Sequence, residues 1–502
     1  MTQIAKEGEA ASRASTGIAG LDDITAGGLT RRRLYLVEGE PGSGKTTLAL
    51  QFLLAGARAG EPVLYVTLSE TAEELRAVAR SHGWSLDGIT VRELMPEEGT
   101  LDPDEQNTMF HPSEVELAST TQLILGDVER VKPTRVVFDS LSELRLLAGT
   151  ALRYRRQILA LKQFFATRDC TVILLDDMTA TDHDLQMQSI AHGVVRLEQL
   201  SPEYGAERRR LRVVKYRGVK YRGGYHDYVI DTGGLEVFPR LVAAEHRQSS
   251  TTGKLPSNIP ELDHLLGGGI EEGTSTLILG AAGTGKSTLA AQFAAAAAGR
   301  GEQAALFVFD ESPQTLLTRC DSLNVNLAQA VADGRVSLQQ IDPAELTPGA
   351  FTHALRVAVE ERHVKVIVID SLNGYLNAMP AERYLAIQLH EILMYLGHKG
   401  VATILIGAHR GMIGAQMTTA IDASYLADAV ILLRYFEARG EVRQAISVMK
   451  KRGSRHERTL REFRLDGGRI HVGESLREFH GVLTGVPVYG DAVAVPPSDG
   501  SS

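Results

Sequence analysis

The stretch Gly39-Glu40-Pro41-Gly42-Ser43-Gly44-Lys45-Thr46 fits the pattern G-x-x-x-x-G-K-[ST] at every position. Leu34-Tyr35-Leu36-Val37 before it is apolar and β-prone, and Thr47-Leu48-Ala49-Leu50-Gln51-Phe52-Leu53-Leu54 after it has helical spacing. That is the strand-loop-helix setting a phosphate-binding loop requires. Its glycines let successive backbone N–H groups turn inward on the β- and γ-phosphates, and the helix N-terminus adds partial positive charge. Lys45 supplies a full charge and Thr46 a hydroxyl for Mg²⁺. The pattern returns 241 residues on, from Lys45 to Lys286, as Gly280-Ala281-Ala282-Gly283-Thr284-Gly285-Lys286-Ser287, between Leu277-Ile278-Leu279 and Thr288-Leu289-Ala290. The expected nucleotide contacts are Gly39, Pro41, Gly42, Ser43, Gly44, Lys45, Thr46 and Thr47 in the first half. In the second they are Gly280, Gly283, Thr284, Gly285, Lys286, Ser287 and Thr288.

The duplication reaches beyond the loops. Thr16-Gly17-Ile18-Ala19-Gly20-Leu21-Asp22, closing in Gly27-Gly28-Leu29, has its partner 241 residues on in Ser257-Asn258-Ile259-Pro260-Glu261-Leu262-Asp263, closing in Gly268-Gly269-Ile270. A period that long marks duplicated domains rather than a solenoid. The 502 residues allow two domains, each large enough for a full core. The expected division is a disordered lead-in at 1–14, a first domain at 15–246, a polar linker at 247–254, a second domain at 255–488 and a Pro/Ser/Gly tail at 489–502.

Composition narrows the function classes. With 43% hydrophobic and 23% charged residues the chain reads as an ordinary soluble globular protein. The net charge of −9 argues against tight non-specific DNA binding by the whole surface, though not against a local basic channel. Cys170 and Cys320, the only cysteines, fall at non-matching places in the two halves, so reduced thiols are expected and neither a disulfide nor a metal role. The first twelve residues lack a signal-peptide core and the Ala-rich run near Phe293 is too short to span a bilayer, so a cytoplasmic location is expected.

Buried strands are expected at Val63 to Leu68, Thr171 to Leu175 and Thr403 to Ile406, alternating with helices, which predicts an α/β fold with a parallel sheet covered on both faces. Arg135-Val136-Val137-Phe138-Asp139-Ser140 and Val366-Ile367-Val368-Ile369-Asp370-Ser371 are hydrophobic strands ending in an acid. Asp139 and Asp370 are therefore expected to hold Mg²⁺ with Thr46 and Ser287, usually through water. Their spacing is 231 residues, from 139 to 370, so the first half carries an insertion, assigned to the acidic surface stretch Pro96 to Pro112. Both halves then become β-rich, at Arg209 to Lys215 and Tyr225 to Ile230 in one, and at Val430 to Tyr435, Gln444 to Lys450 and Leu460 to Leu465 in the other.

A carboxylate at the end of the strand after the phosphate-loop helix can polarise an attacking water, which makes Glu70, Asp310 and Glu311 the candidate bases beside the catalytic lysines Lys45 and Lys286. With these residues in view, the chain from about Ser15 to Tyr489 resembles the tandem RecA-fold ATPases of the circadian clock protein KaiC family. The two loops, the paired openings, Tyr65-Val66-Thr67-Leu68-Ser69-Glu70-Thr71, Phe307-Val308-Phe309-Asp310-Glu311-Ser312 and the segment Ala427 to Phe463 carry the likeness. The resemblance implies two RecA-like P-loop NTPase domains, a homohexamer of two stacked rings, ATP and Mg²⁺ as cofactors, and KaiB-like or signalling partner proteins. It further implies a Lys-x-Arg pair reaching the γ-phosphate from the adjacent subunit, at Lys215 and Arg217 in the first half and Lys450 and Arg452 in the second.

The sequence departs from the family where hydrolysis is set. The family has two adjacent glutamates in both halves; here stand Ser69-Glu70 and Asp310-Glu311, so slow or Glu70-dependent hydrolysis is expected in the first ring. The family's second domain phosphorylates itself on a Ser-Thr pair. The matching residues are Ser424-Tyr425, so serine autokinase activity is expected with Ser424 as the acceptor.

Other signals receive structural readings. Arg31-Arg32-Arg33 and Arg208-Arg209-Arg210 are read as solvated surface, His192 and His409 as hydrogen-bonded residues without metal partners, and Trp84 as packing. Gly411 to Thr419 follows the last parallel strand at a place where RecA-type recombinases touch DNA, which supports a rival reading as a DNA-dependent ATPase. A third reading, prompted by Ser69, is a nucleotide-gated scaffold that does not hydrolyse.

Overall fold

The computed structural model describes residues 12–94, 112–178, 185–202, 205–246, 253–377, 384–408, 425–484 and 488–489. The chain forms two compact units, residues 1–240 and 241–502. Among the described residues no helix is long and apolar enough to cross a membrane.

In the first unit nine strands share one sheet: β1 (Leu34–Gly39), β2 (Val63–Thr67), β3 (Thr90–Glu93), β4 (Arg135–Asp139), β5 (Thr171–Asp176), β6 (Gly193–Leu200), β7 (Arg208–Tyr216), β8 (His226–Asp231) and β9 (Gly234–Phe238). Across the sheet they run β9-β8-β7-β6-β1-β5-β4-β2-β3. From β6 to β3 the pairing is parallel. From β6 outward to β9 it is antiparallel. All residues of β1, β2, β4 and β5 are buried, as strands covered on both faces must be.

The second unit repeats the plan with β10 (Ser275–Gly280), β11 (Gln303–Val308), β12 (Val336–Gln340), β13 (Val364–Asp370), β14 (Ala402–Ala408), β15 (Ala429–Ala438), β16 (Glu441–Lys451), β17 (Arg461–Asp466) and β18 (Arg469–Ser475). The order β18-β17-β16-β15-β10-β14-β13-β11-β12 matches the first strand for strand. Each unit is thus a RecA-like domain, a mostly parallel sheet between helices with an antiparallel extension.

Alternate residues of each strand feed opposite cores, because side chains on a strand alternate faces. In the first unit Tyr35, Val37, Tyr65, Val137 and Ile173 pack with Leu48 and Phe52 of the helix Lys45–Arg58. Leu34, Leu36, Leu64, Phe138 and Leu174 pack on the other side with Tyr154, Ile158 and Phe165 of the helix Ala151–Ala166. The second unit divides its core likewise, with Ile278, Leu306 and Val368 on one face and Leu277, Phe307 and Ile367 on the other.

Several segment ends differ from the sequence reading. Arg13–Ala14, assigned to a disordered lead-in, pairs with Leu29–Thr30, and Arg13 donates to Tyr216 OH at 2.7 Å and Thr30 Oγ1 at 2.9 Å. The turn Ala243–His246, left with the first domain, belongs to the second unit: the Ala243 N–H donates to Glu391 at 2.9 Å, and Leu241 and Ala243 join an apolar cluster there. Lys254, assigned to the linker, pairs with Glu271, and Tyr489, assigned to the tail, pairs with Phe479. Each is held by strand pairing or hydrogen bonds that composition does not reveal. The stretch Pro96 to Pro112 lies almost wholly outside the described residues.

Candidate nucleotide sites

Both phosphate loops connect a central parallel strand to the helix that follows. Gly44 and Gly285 take φ of 89° and 90° as they deliver the chain into the helices Lys45–Arg58 and Lys286–Gly299. A Cβ on Gly44 would stand 2.5 Å from Ile230 Cδ1, and one on Gly285 2.6 Å from Leu465 Cδ1. The left-handed conformation calls for glycine, and a side chain there would also displace Ile230 or Leu465. Lys45 Nζ donates to the carbonyls of Gly39 at 2.9 Å and Glu40 at 3.0 Å, curling over its own loop. Lys286 Nζ donates to the Ala281 carbonyl at 2.7 Å, and burial lowers its pKa. Ser43 Oγ is buried beside the first loop with no protein partner among the described residues.

In the first unit Thr46 Oγ1 donates to Asp139 Oδ2 at 3.1 Å, and the same oxygen accepts from Tyr65 OH at 2.5 Å. Burial raises the Asp139 pKa while these two bonds oppose the rise. A hydroxyl and a carboxylate, both hard oxygen donors, beside a buried ammonium and a glycine cradle suit a Mg²⁺–nucleotide well. The second unit repeats the set with Ser287 and Asp370. Burial pushes Asp370 to about 6, the bond from Ser287 opposes this, and Glu311 and Asp310 add to it.

The candidate bases have different surroundings in the two units. Glu70 sits at the end of β2, and its Oε2 is buried without a protein partner among the described residues. Burial raises its pKa to about 6, with Asp139, Glu74 and Asp177 adding to the effect and Lys45 opposing it. Glu311 instead accepts a forked pair from Arg319, 2.9 Å from Nη1 and 2.6 Å from Nη2, while Arg319 Nε donates to Thr288 Oγ1 at 3.1 Å. Asp310 accepts from the Ser371 hydroxyl. The matching hydroxyl in the first unit, Ser140, is buried without a partner among the described residues.

The basic pairs lie at the other end of each sheet from the loop of the same unit. Tyr216 is level with Gly193, and Gly193 with Tyr35, four residues before Gly39 and so about 13 Å along the strand. Lys450 is level with Val430, and Val430 with Leu277, again upstream of Gly280. Lys215 Nζ donates to the Gln188 carbonyl at 2.5 Å and Arg217 to Ser189 at 2.8 Å. Lys450 Nζ donates to Ala427 at 2.7 Å, and Arg452 stands 3.6 Å from Asp428.

The loops, Thr46, Asp139, Glu70, Ser287, Asp370, Asp310 and Glu311 thus gather at the carboxyl ends of the parallel strands, and the basic pairs do not join them. Ser424, His409 and Gly411 to Thr419 lie outside the described residues. His192 is a structural residue in the first unit, its Nδ1 accepting from the Leu34 N–H at 3.3 Å. Sequence reading missed Tyr65, Arg319 and Asp177, whose carboxylate lies 2.9 Å from Lys45 Nζ. Asp177 follows a strand at a place where an acid invites attention, whereas Tyr65 and Arg319 give no signal in a single sequence.

Fold and site together define a protein of two tandem RecA-like domains, each with a phosphate loop. The family model described as "ATPase: KaiC" matches residues 14–242 and again 255–477. The chain belongs to that KaiC family. The circadian clock protein KaiC3 of Synechocystis sp. is 26% identical over 498 residues, covering 97% of this chain and 96% of that protein. The circadian clock oscillator proteins KaiC of Parasynechococcus marenigrum and Picosynechococcus sp. are 27% and 28% identical, each covering 94% of this chain and 92% of the relative.

Proposed function

We propose that the protein is a ring-forming, Mg²⁺-dependent ATPase of signalling or timing, with six chains in two tiers and serine autokinase activity in the second domain. ATP would supply the transferable phosphoryl group and Mg²⁺ would screen its charge. The observation that carries this reading is the position of Lys215, Arg217, Lys450 and Arg452, at the far end of the sheet from their own loops. From there a cation is out of reach of its own unit's loop, and the family resemblance gives it the nucleotide of a neighbouring copy, where it would stabilise charge on the phosphoryl group in flight.

Within each site the chain's own residues divide the work. Lys45 and Lys286 would hold the terminal phosphates; Thr46 with Asp139, and Ser287 with Asp370, would hold the metal. Glu70 draws the proton from water in the first site, and Asp310 does so in the second, where Glu311 is engaged by Arg319. Ser424 is the expected phosphoacceptor, and KaiB-like proteins the expected partners, both from family likeness. The test incubates the full chain with γ-labelled ATP and Mg²⁺, reading free phosphate and protein-bound label. Label on the protein is expected to vanish in Lys286→Ala and Ser424→Ala and to survive in Lys45→Ala. Label that persists in Ser424→Ala rejects the acceptor, and release that needs added DNA favours a recombinase-like activity.

A further inference from the structure

The carboxylate nearest the first phosphate-loop lysine is one that the hydrolytic reading does not use. Asp177 Oδ1 lies 2.9 Å from Lys45 Nζ, with Lys45 6% and Asp177 29% exposed. Its position is built by its neighbours. Ser142 Oγ donates to Asp177 Oδ2 at 3.3 Å, from the helix that follows Asp139. The preceding residue, Asp176, is tied to Arg145 at 2.7 Å and accepts the Met178 N–H at 3.2 Å. Met178 itself turns the chain with φ of 54°. Asp177 is therefore fixed against the ammonium that a phosphate loop reserves for the terminal phosphates.

The second unit has no acid at the corresponding position. Leu34 pairs with Val172 and Ser275 with Thr403, so β5 and β14 superpose residue for residue and Asp177 corresponds to Ala408. Ser142 corresponds to Asn373, whose side-chain oxygen accepts the Ala408 N–H at 3.0 Å. The same scaffold thus carries a carboxylate beside the lysine of one unit and a methyl group at the matching position of the other.

We infer that Asp177 is a specificity-determining residue of the first site, setting how strongly that site prefers a nucleoside triphosphate over the diphosphate. The inference rests on the reading of the first loop as a nucleotide site. Triphosphate and diphosphate differ by one phosphoryl group, whose added negative charge would fall within reach of the loop lysine. A carboxylate there competes for Lys45 and repels that added charge, while the β-phosphate held by the loop's backbone N–H groups is less affected. The first site is therefore poised toward its product and the second toward its substrate.

The test titrates ADP and the non-hydrolysable β,γ-imido analogue of ATP, each with Mg²⁺, into the full chain carrying Lys286→Ala to silence the second site. Asp177→Asn and Asp177→Ala are expected to raise the triphosphate-to-diphosphate affinity ratio about tenfold, with ADP affinity moving much less. The reciprocal change, Ala408→Asp in a Lys45→Ala chain, is expected to lower the ratio at the second site. An unchanged ratio in the Asp177 variants, or equal tightening of both nucleotides, overturns the inference. Should Lys45→Ala bind as tightly as the parent at the first site, the underlying nucleotide reading falls instead.

Discussion

Glu70 and Glu311 occupy equivalent places and live in different chemistry. Glu70 is half-buried among other carboxylates, with a pKa raised to about 6 and one oxygen without a partner among the described residues. A base must be ionised to take a proton, so first-site kcat/KM is expected to rise as pH climbs through about 6 and to level above it. In Glu70→Gln that profile should flatten and hydrolysis in a Lys286→Ala chain should drop by about 10²-fold or more. Retention of most activity by Glu70→Gln would assign the base elsewhere. That Glu70 and Asp310 are candidate bases was legible in the sequence, because both close a strand that follows a phosphate-loop helix. The surroundings of Glu70 and of Glu311 were not, since Asp177 and Arg319 come near them only once the sheet is assembled.

Among the elements, the central parallel strands were easiest to read, because burial on both faces makes them short apolar runs bounded by turn residues. The edge strands β3 and β12 escaped notice: Thr90–Glu93 has no buried residue and Val336–Gln340 only one, so neither carries an apolar signature. The helix Pro313–Ser322 matters for a contact invisible at that level, the Arg319 fork on Glu311 and its bond to Thr288 on the phosphate-loop helix. Replacing Arg319 with Leu leaves Glu311 partly buried and unpaired near Asp370, which repels an incoming polyphosphate. The expected result is about a tenfold rise in KM for ATP at the second site. The double variant with Glu311→Gln should recover most of that loss, as coupled neighbours do. Simple addition of the two effects would show that the fork has no such role.

For the whole molecule, duplication was the strongest message of the sequence, and the two sheets agree strand for strand. The assembly reading makes a sharp demand. A chain with Arg217→Ala lacks the donated cation, and one with Lys45→Ala lacks the receiving loop, so each is expected to be inactive at the first site when alone. Mixed and reassembled, they form junctions in which an intact loop meets an intact cation, and a substantial fraction of first-site turnover should return. Mixtures as inactive as their components would place Arg217 outside the reaction.

The separation of Lys215 and Arg217 from Gly39 along the strand direction also restricts geometry. On the assembly proposed above, a plug at one end of a sheet and its socket at the other join copies nose to tail. Such a chain of copies ends only by biting its own tail. A small change in the angle between neighbours would leave it open and growing, giving fibres in place of a closed particle.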